Sequence, residues 1–325
     1  MTAIDVCVVG EINLDLILYG LPKNLELDRE LLANELALTL GSSSAIFAHN
    51  LSALGTKVGF VSLVGKDGER DPLGRVAVQR LAEAGVDVSQ VRPARSETQT
   101  GLTVALPVHQ QRYILTYPGT MFEFEYSDIA MSYVRGAKHL HLSSYFLLRA
   151  LRPRIPELFR EAKAAGLSTS LDTNDDPEDK WEADLREVFA HLDILFVNER
   201  EAKKMTGLSD HTMAADALAE RVPMVVMKRG ALPAVCRAGK NEWSAAPPRV
   251  EVVDSVGAGD SFAAGFIHQH LRGAKPADSL AFANAAGAYS TTRAGGTEAF
   301  RDREALRDFL ERQGWEQAKS SVDND

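Results

Sequence analysis

Two rhythms of apolar residues run along this chain. Residues 5–10 (DVCVVG) form a nearly continuous apolar run closed by glycine, and 58–64 form another; such runs predict strands buried on both faces of a parallel sheet. Elsewhere the apolar residues alternate. ELALTL closes the otherwise irregular stretch 16–40, GLTVAL spans 101–106 and RYILTY spans 112–117, each with the pattern of a half-exposed strand. The last two flank 107–111 and predict a hairpin, which with strands near 14–18 and 34–40 would build a small lid sheet. Helical spacing fills 43–55, stopped by Gly55, and 73–84, ended by Gly85.

From Ala137 onward strands and helices take turns: HLHLS, a helix after Pro153, LSTSLD, a helix around 181–191, DILFVN, a helix around 212–220, and MVVMK. That alternation calls for a parallel sheet with helices on both faces. Each strand ends in polar residues: Ser143 and Ser144, Asp172 and Asn174, Asn198 and Glu201, Lys228 and Arg229. In open α/β sheets ligands sit just beyond the carboxyl ends of strands, so these groups, with Asn13 and Asp15 after the first strand, are expected along one functional edge. Asn198 and Glu201 also read as a helix cap and its capping box, and both roles can hold together.

The stretch 254–262, DSVGAGDSF, is the most informative in the chain. Val250, Val252 and Val253 predict a strand-like approach, while Phe262, Phe266, Ile267 and Leu271 share one face of a following helix. Small residues at Gly257, Ala258 and Gly259 let the backbone approach a ligand, and the free N–H groups of a first helical turn favour an anion there. A carboxylate at Asp260 would repel that anion. The conflict resolves if Asp260 takes the proton of a hydroxyl while the amides hold the phosphoryl group that the hydroxyl attacks. The glycines do not have the spacing of a P-loop or a dinucleotide fingerprint, and no P-loop lysine follows.

Composition narrows the class. With 325 residues, 45% hydrophobic and 25% charged, the chain can bury a large core. A formal net charge of −9 argues against a nucleic-acid surface and means that a nucleotide site must create its own positive potential. Cys7 and Cys236 lie in apolar segments and predict buried free thiols, hence a reducing cytoplasm. The first apolar run is broken by Glu11, Asn13 and Asp15, so neither a signal peptide nor a membrane span is expected.

The residues 254–266, DSVGAGDSFAAGF, fit D-[ST]-x-G-A-G-D-x-F-x-A-G-F, and on them the chain resembles the PfkB or ribokinase-like carbohydrate kinases over roughly 4–312. The resemblance implies a ribokinase-like three-layer α/β/α sandwich with a mainly parallel central sheet and a small β-sheet lid. The domain would span 1–312, with the lid from about 14–40 and 98–120 and a polar tail over 313–325. It also implies ATP-dependent phosphorylation of a primary hydroxyl of a sugar or sugar derivative, with magnesium. Asp260 would be the general base, and Gly257, Ala258 and Gly259 the anion hole.

Other positions follow residue by residue. Asp15 matches the substrate-binding aspartate of V-G-x-x-x-x-D, with Asn13 beside it. Residues 41–55 resemble G-G-x-x-x-N-x-A-x-x-L-x-x-L-G, with Gly41 kept, Ser42 in place of the second glycine and Ile46 in place of the asparagine. Gly41 and Ser42 are expected to hydrogen-bond substrate, and Arg112 to reach it from the lid. Asn198 and Glu201 resemble N-x-x-E near magnesium and phosphates, Glu201 acting through water, and Asp172 resembles D-x-N. Lys228 and Gly230 would meet phosphate, although Pro233 stands where a second glycine is usual. Asn284 would lie near adenine. Asp254 and the carbonyls of the turn 293–296 would hold a monovalent cation, potassium. An exposed lid invites pairing with a second copy, so a homodimer through the lid is expected. The rival readings are a nucleoside kinase, with Phe47, Tyr113, Tyr117 and Phe122 as a candidate cage for the base, and a catalytically silent ligand-sensing homologue.

Overall fold

The computed structural model describes residues 4–66, 70–108, 111–181 and 185–315. Its strands are β1 (Val6–Val9), β2 (Asn13–Tyr19), β3 (Glu35–Leu40), β4 (Val58–Val64), β5 (Asp87–Pro93), β6 (Gly101–Val108), β7 (Gln111–Tyr117), β8 (His139–Ser143), β9 (Ser168–Asp172), β10 (Ile194–Asn198), β11 (Met224–Lys228), β12 (Ala234–Ala238) and β13 (Asn241–Ala245). Its α-helices are α1 (Ser43–Ala53), α2 (Pro72–Glu83), α3 (Met131–Val134), α4 (Ile155–Ala164), α5 (Leu185–Phe189), α6 (Glu199–Thr206), α7 (His211–Ala219), α8 (Ala258–His270), α9 (Pro276–Ser290), α10 (Glu298–Arg301) and α11 (Arg303–Arg312).

Among the described residues the strands form two sheets, one ordered β13-β12-β11-β10-β9-β8-β1-β4-β5 and a smaller one ordered β3-β2-β6-β7. From β11 to β5 the large sheet is parallel, and β12 and β13 fold back antiparallel at its end. Strand β1 explains the continuous apolar runs. Val6 and Val8 face a layer containing α1, α2, α8 and α9, while Cys7 and Val9 face a layer containing α4, α5 and α7. With helices on both faces, neither side of the strand meets water. The expected three-layer α/β/α sandwich with a lid sheet is what forms, and both cysteines are buried free thiols. No helix among the described residues is long and apolar enough to cross a membrane.

Some expectations are corrected. The apolar approach at Val250 to Val253 is not a strand: it joins no ladder, and Val252 and Val253 are exposed. Strands β5 and β13, whose polar sequences lack a clean alternation, are additional to the predicted strands, while β12 holds the apolar segment around Cys236. The helix around 181–191 is only α5, with 182–184 outside the described residues. At the other end the chain still packs past α11, for Trp315 meets Phe282 edge-on at 5.2 Å; residues 316–325 lie outside the described ones.

One row of polar side chains crosses this apolar interior. His139 and Ser168, His141 and Ser170, and Ser143 and Asp172 are successive partners across β8 and β9. Nδ1 and Nε2 of His139 meet Ser168 Oγ and Ser170 Oγ at 2.7 Å each, and those of His141 meet Ser170 Oγ at 2.7 Å and Ser143 Oγ at 2.8 Å. Burial holds both imidazoles neutral, His139 being pushed down to about 3.

Candidate active site

Helix α8 opens against the last residue of β11. Gly257 caps it with φ 72°, and a Cβ there would stand 2.6 Å from Gly296 Cα, so the turn admits only glycine. No side chain caps the helix, and while Ala258 N donates to Ser255 O at 3.3 Å, the first-turn amides at Gly259 and Asp260 are left for a ligand or water. The Lys228 ammonium lies 3.3 Å from where a Cβ on Gly259 would be.

Four ionisable groups meet here. Lys228 Nζ pairs with Asp172 Oδ2 at 2.5 Å, and the carboxyls of Glu201 and Asp260 also lie within its field. Burial works against the ammonium, yet Asp172 and Glu201 push Lys228 above the ordinary lysine range. Burial, with Asp172 adding to it, pushes Asp260 up to about 7, against the pull of Lys228. Burial likewise pushes Glu201 up to about 7, against the pull of Lys228. Asn198 and Glu201 form the capping box of α6: Asn198 Oδ1 accepts from Glu201 N at 2.9 Å, and Glu201 Oε2 accepts from Asn198 N at 2.8 Å.

The lid supplies a second group of polar residues. Asn13, Asp15 and Gly41 crowd together: a Cβ on Gly41 would collide with Asp15 Oδ1 at 2.1 Å and Asn13 Oδ1 at 2.7 Å. Asn13 Nδ2 donates to Thr103 Oγ1 at 3.0 Å, while its Oδ1 is buried with no partner. Between lid and helix lies Glu11, buried, whose carboxylate accepts from Ser42 Oγ at 3.0 Å and Ser44 Oγ at 2.9 Å. Glu11 and Ser44 join this polar group, and neither was among the expected site residues. A run of three serines opening a helix beside a strand-end glutamate was the available signal.

Several expected contacts are different. The Ser42 hydroxyl is committed to Glu11 and to capping Ala45 N, so it is not free for substrate. Asn284 is buried in α9 and donates to Ala245 O of β13 at 2.7 Å, a tie between helix and sheet. Gly230 lies in the turn after β11, with nothing within 4 Å of a Cβ position. The Arg112 side chain lies outside the described residues; its backbone pairs with Pro107. Asp254 accepts from Tyr19 Oη at 3.1 Å, Gly295 N at 3.0 Å and Val256 N at 3.0 Å, and Gly296 O accepts from Asn50 Nδ2 at 2.9 Å. These hydrogen bonds within the protein hold the turn.

The aromatic residues form no cage. Phe47 is fully buried, stacked on His141 at 3.6 Å, and Phe122 lies under the Arg149 guanidinium at 4.3 Å. Strand register sets Tyr113 and Tyr117 on the lid face opposite Asn13 and Asp15, together with Leu36, Leu38 and Leu115. Those five side chains are 36–61% exposed.

Residues 3–303 match the sequence model of the pfkB family carbohydrate kinases. The chain belongs to that family. A 2-dehydro-3-deoxygluconokinase of Bacillus subtilis is 29% identical over 84% of this chain and 87% of its own length. An adenosine kinase from Sinorhizobium meliloti superposes with a TM-score of 0.83 at 21% identity, over 97% of this chain and 100% of that one. A ribokinase from Arabidopsis thaliana, complexed with ribose and ATP, gives 0.79 at 23% identity over 95% and 99%. The fold is therefore ribokinase-like. In this pfkB kinase Ser42 adopts the left-handed φ of 68° that suits the glycine it replaces, and Oγ bonds to Glu11 O at 2.6 Å and Glu11 Oε1 hold it there. Ile46 packs between Gly257 and Gly296, an apolar contact beside the start of α8.

Proposed function

We propose that this protein is an ATP-dependent kinase acting on a primary hydroxyl of a sugar or sugar derivative. The observation that carries the reading is a buried carboxyl, Asp260, pushed up to about 7 within the first turn of a helix that no side chain caps. A carboxyl poised near working pH takes a hydroxyl proton with little mismatch, and amides fixed at the helix start stabilise charge on the moving phosphoryl group without reorganising. The reaction is an in-line transfer in which Asp260 accepts the proton and Gly257, Ala258 and Gly259 line the anion hole. Lys228 and Gly230 serve the phosphates. Asn13 Oδ1, a buried acceptor without a donor, suits a sugar hydroxyl, with Asp15 and Gly41 beside it. The relatives' names include a 2-dehydro-3-deoxygluconokinase, a ribokinase and an adenosine kinase. An ATP-consumption screen over sugars, sugar acids, sugar phosphates and nucleosides tests the reading: turnover of one sugar class supports it, and preference for a nucleoside replaces it.

Magnesium belongs to the proposal. Glu201, a carboxyl that burial has pushed up beside Asp172, gains from an added cation and suits contact through a metal-bound water. The ion supplies charge neutralisation on the phosphates. Excess chelator is expected to abolish turnover, and undiminished turnover would remove the ion.

A homodimer through the lid completes the proposal. Its support is the apolar outer face carrying Leu36, Leu38, Tyr113, Leu115 and Tyr117. Sedimentation should give a dimer for the wild type and a monomer for Leu115→Glu; a monomeric wild type at tens of micromolar would count against it.

A further inference from the structure

Residue 42 stands where the chain turns from the lid strand β3 into α1. Its φ of 68° with ψ 128° is a backbone conformation that a residue with a side chain rarely adopts, and here it is occupied by serine. Such a residue stays put only if its surroundings hold it. The residue before it, Gly41, is fitted closely to the polar group of the lid: its N–H donates to Asn13 O at 3.0 Å, and a Cβ on it would stand 2.1 Å from Asp15 Oδ1 and 2.7 Å from Asn13 Oδ1. The strain and the polar group are therefore one residue apart.

Glu11 supplies the hold. The Ser42 hydroxyl is set between Glu11 O at 2.6 Å and Glu11 Oε1 at 3.0 Å, while Ser44 Oγ donates to Glu11 Oε2 at 2.9 Å, so both carboxyl oxygens grip one short segment. Ser44 is wedged in its turn against the end of β1, its Oγ 2.0 Å from where a Cβ on Gly10 would be. A buried carboxyl is costly unless its hydrogen bonds are made, and those of Glu11 end on residues 42 and 44. Its place in the fold is that of a clamp on the start of α1.

We propose that Glu11 is a positioning residue for the acceptor sugar: through Ser42 and Ser44 it holds the strained start of α1, and so keeps Gly41 seated against Asn13 and Asp15. The proposal rests on the reading of Asn13, Asp15 and Gly41 as the acceptor subsite. Glu11 touches no reacting atom. Released from the carboxyl, Ser42 relaxes toward the negative φ that a side chain prefers, and the peptide it shares with Gly41 swings with it. Glycine at 42 has no such preference, so a chain with glycine there needs no clamp.

The test compares acceptor KM, ATP KM and amide hydrogen exchange at Gly41, which needs no substrate, in the wild type, Glu11→Ala and Glu11→Ala combined with Ser42→Gly. Glu11→Ala should raise the acceptor KM by roughly 10- to 100-fold and leave the ATP KM unchanged, since a small displacement at a binding group is enough for such a loss. The Gly41 amide should exchange faster as its bond to Asn13 O opens. Adding Ser42→Gly should recover most of both losses although the carboxyl is still missing; Ser42 also caps Ala45 N, a role that glycine fills at little cost. Losses that persist in the double variant overturn the proposal, because a carboxyl needed only for folding, or for contact with the sugar, is not replaced by a glycine at 42. If Glu11→Ala does not fold, Ser42→Ala carries the test. It deletes the tether and keeps the strain, so its acceptor KM and Gly41 exchange should stand well above those of Ser42→Gly, and equal values overturn the proposal. A raised acceptor KM in Asp15→Asn with an unmoved Glu11→Ala overturns this inference alone; an unmoved Asp15→Asn overturns the subsite and this inference with it.

Discussion

Asp260→Asn is expected to lose about 10²- to 10⁴-fold in kcat, the range for removing a general base, while melting no lower than the wild type at pH 8. Asparagine keeps the shape and removes the proton acceptor. The stability half follows from the sign of the shift. Asp260 is raised from an ordinary 3.8 to about 7 by burial and Asp172, so the folded protein holds that proton more tightly than the unfolded chain does. Its stabilising contribution is complete below the unfolded value and is lost as pH rises through about 7. At pH 8 the wild type carries a buried charge that the variant lacks, and the difference shrinks toward pH 4. The wild-type kcat/KM should correspondingly fall below about pH 7 with the uptake of one proton. A variant with native melting and near-native kcat refutes the catalytic assignment; a variant that melts lower at pH 8 than at pH 5, relative to wild type, refutes the electrostatic one.

Lys228→Met is expected to destabilise the protein by about 3–5 kcal/mol at pH 8, the cost of leaving buried charge without its partner. The variant leaves Asp172, Glu201 and Asp260, all buried, without the cation they share. The carboxyls of Glu201 and Asp260 then rise further above their unfolded values, so the loss is greatest at high pH and eases toward pH 5 as protons replace the ammonium. Adding Asp172→Asn to Lys228→Met should recover much of the stability, because one of the three charges is gone. Denaturant unfolding at the two pH values measures this. An equal loss at both would mean that Lys228 matters for packing and not for charge.

What could be read in advance follows from where the physics is local. The 254–262 turn, the strands ending in Asp172, Asn198 and Lys228, and the lid hairpin are each written in short stretches, and each is present. Facing is harder, because an alternating strand announces two faces without saying which one meets the ligand. Tyr113 and Tyr117 are aromatic and near the site in sequence, yet register turns them away from Asn13. Val252 and Val253 looked like a strand since apolar residues usually seek cover, but here they stay exposed. Contacts such as Ser44 to Glu11 and Asn284 to Ala245 depend on elements far apart in the chain, and no local pattern specifies them.

The row of histidines and serines across β8 and β9 bears on how the large sheet chooses its alignment. A parallel sheet of apolar strands has little to tell one strand which step of its neighbour to sit on, since valine against leucine differs little from valine against valine. Sliding β9 by one residue would set His139 and His141 against the side of the strand that carries Thr169 and Leu171, turning serines away and leaving ring nitrogens buried without partners. The row therefore acts as a notch and key between two otherwise interchangeable strands. Because Asp172 is the next tooth of the same key, the alignment it selects is the one that brings this carboxylate level with Ser143 and within reach of Lys228.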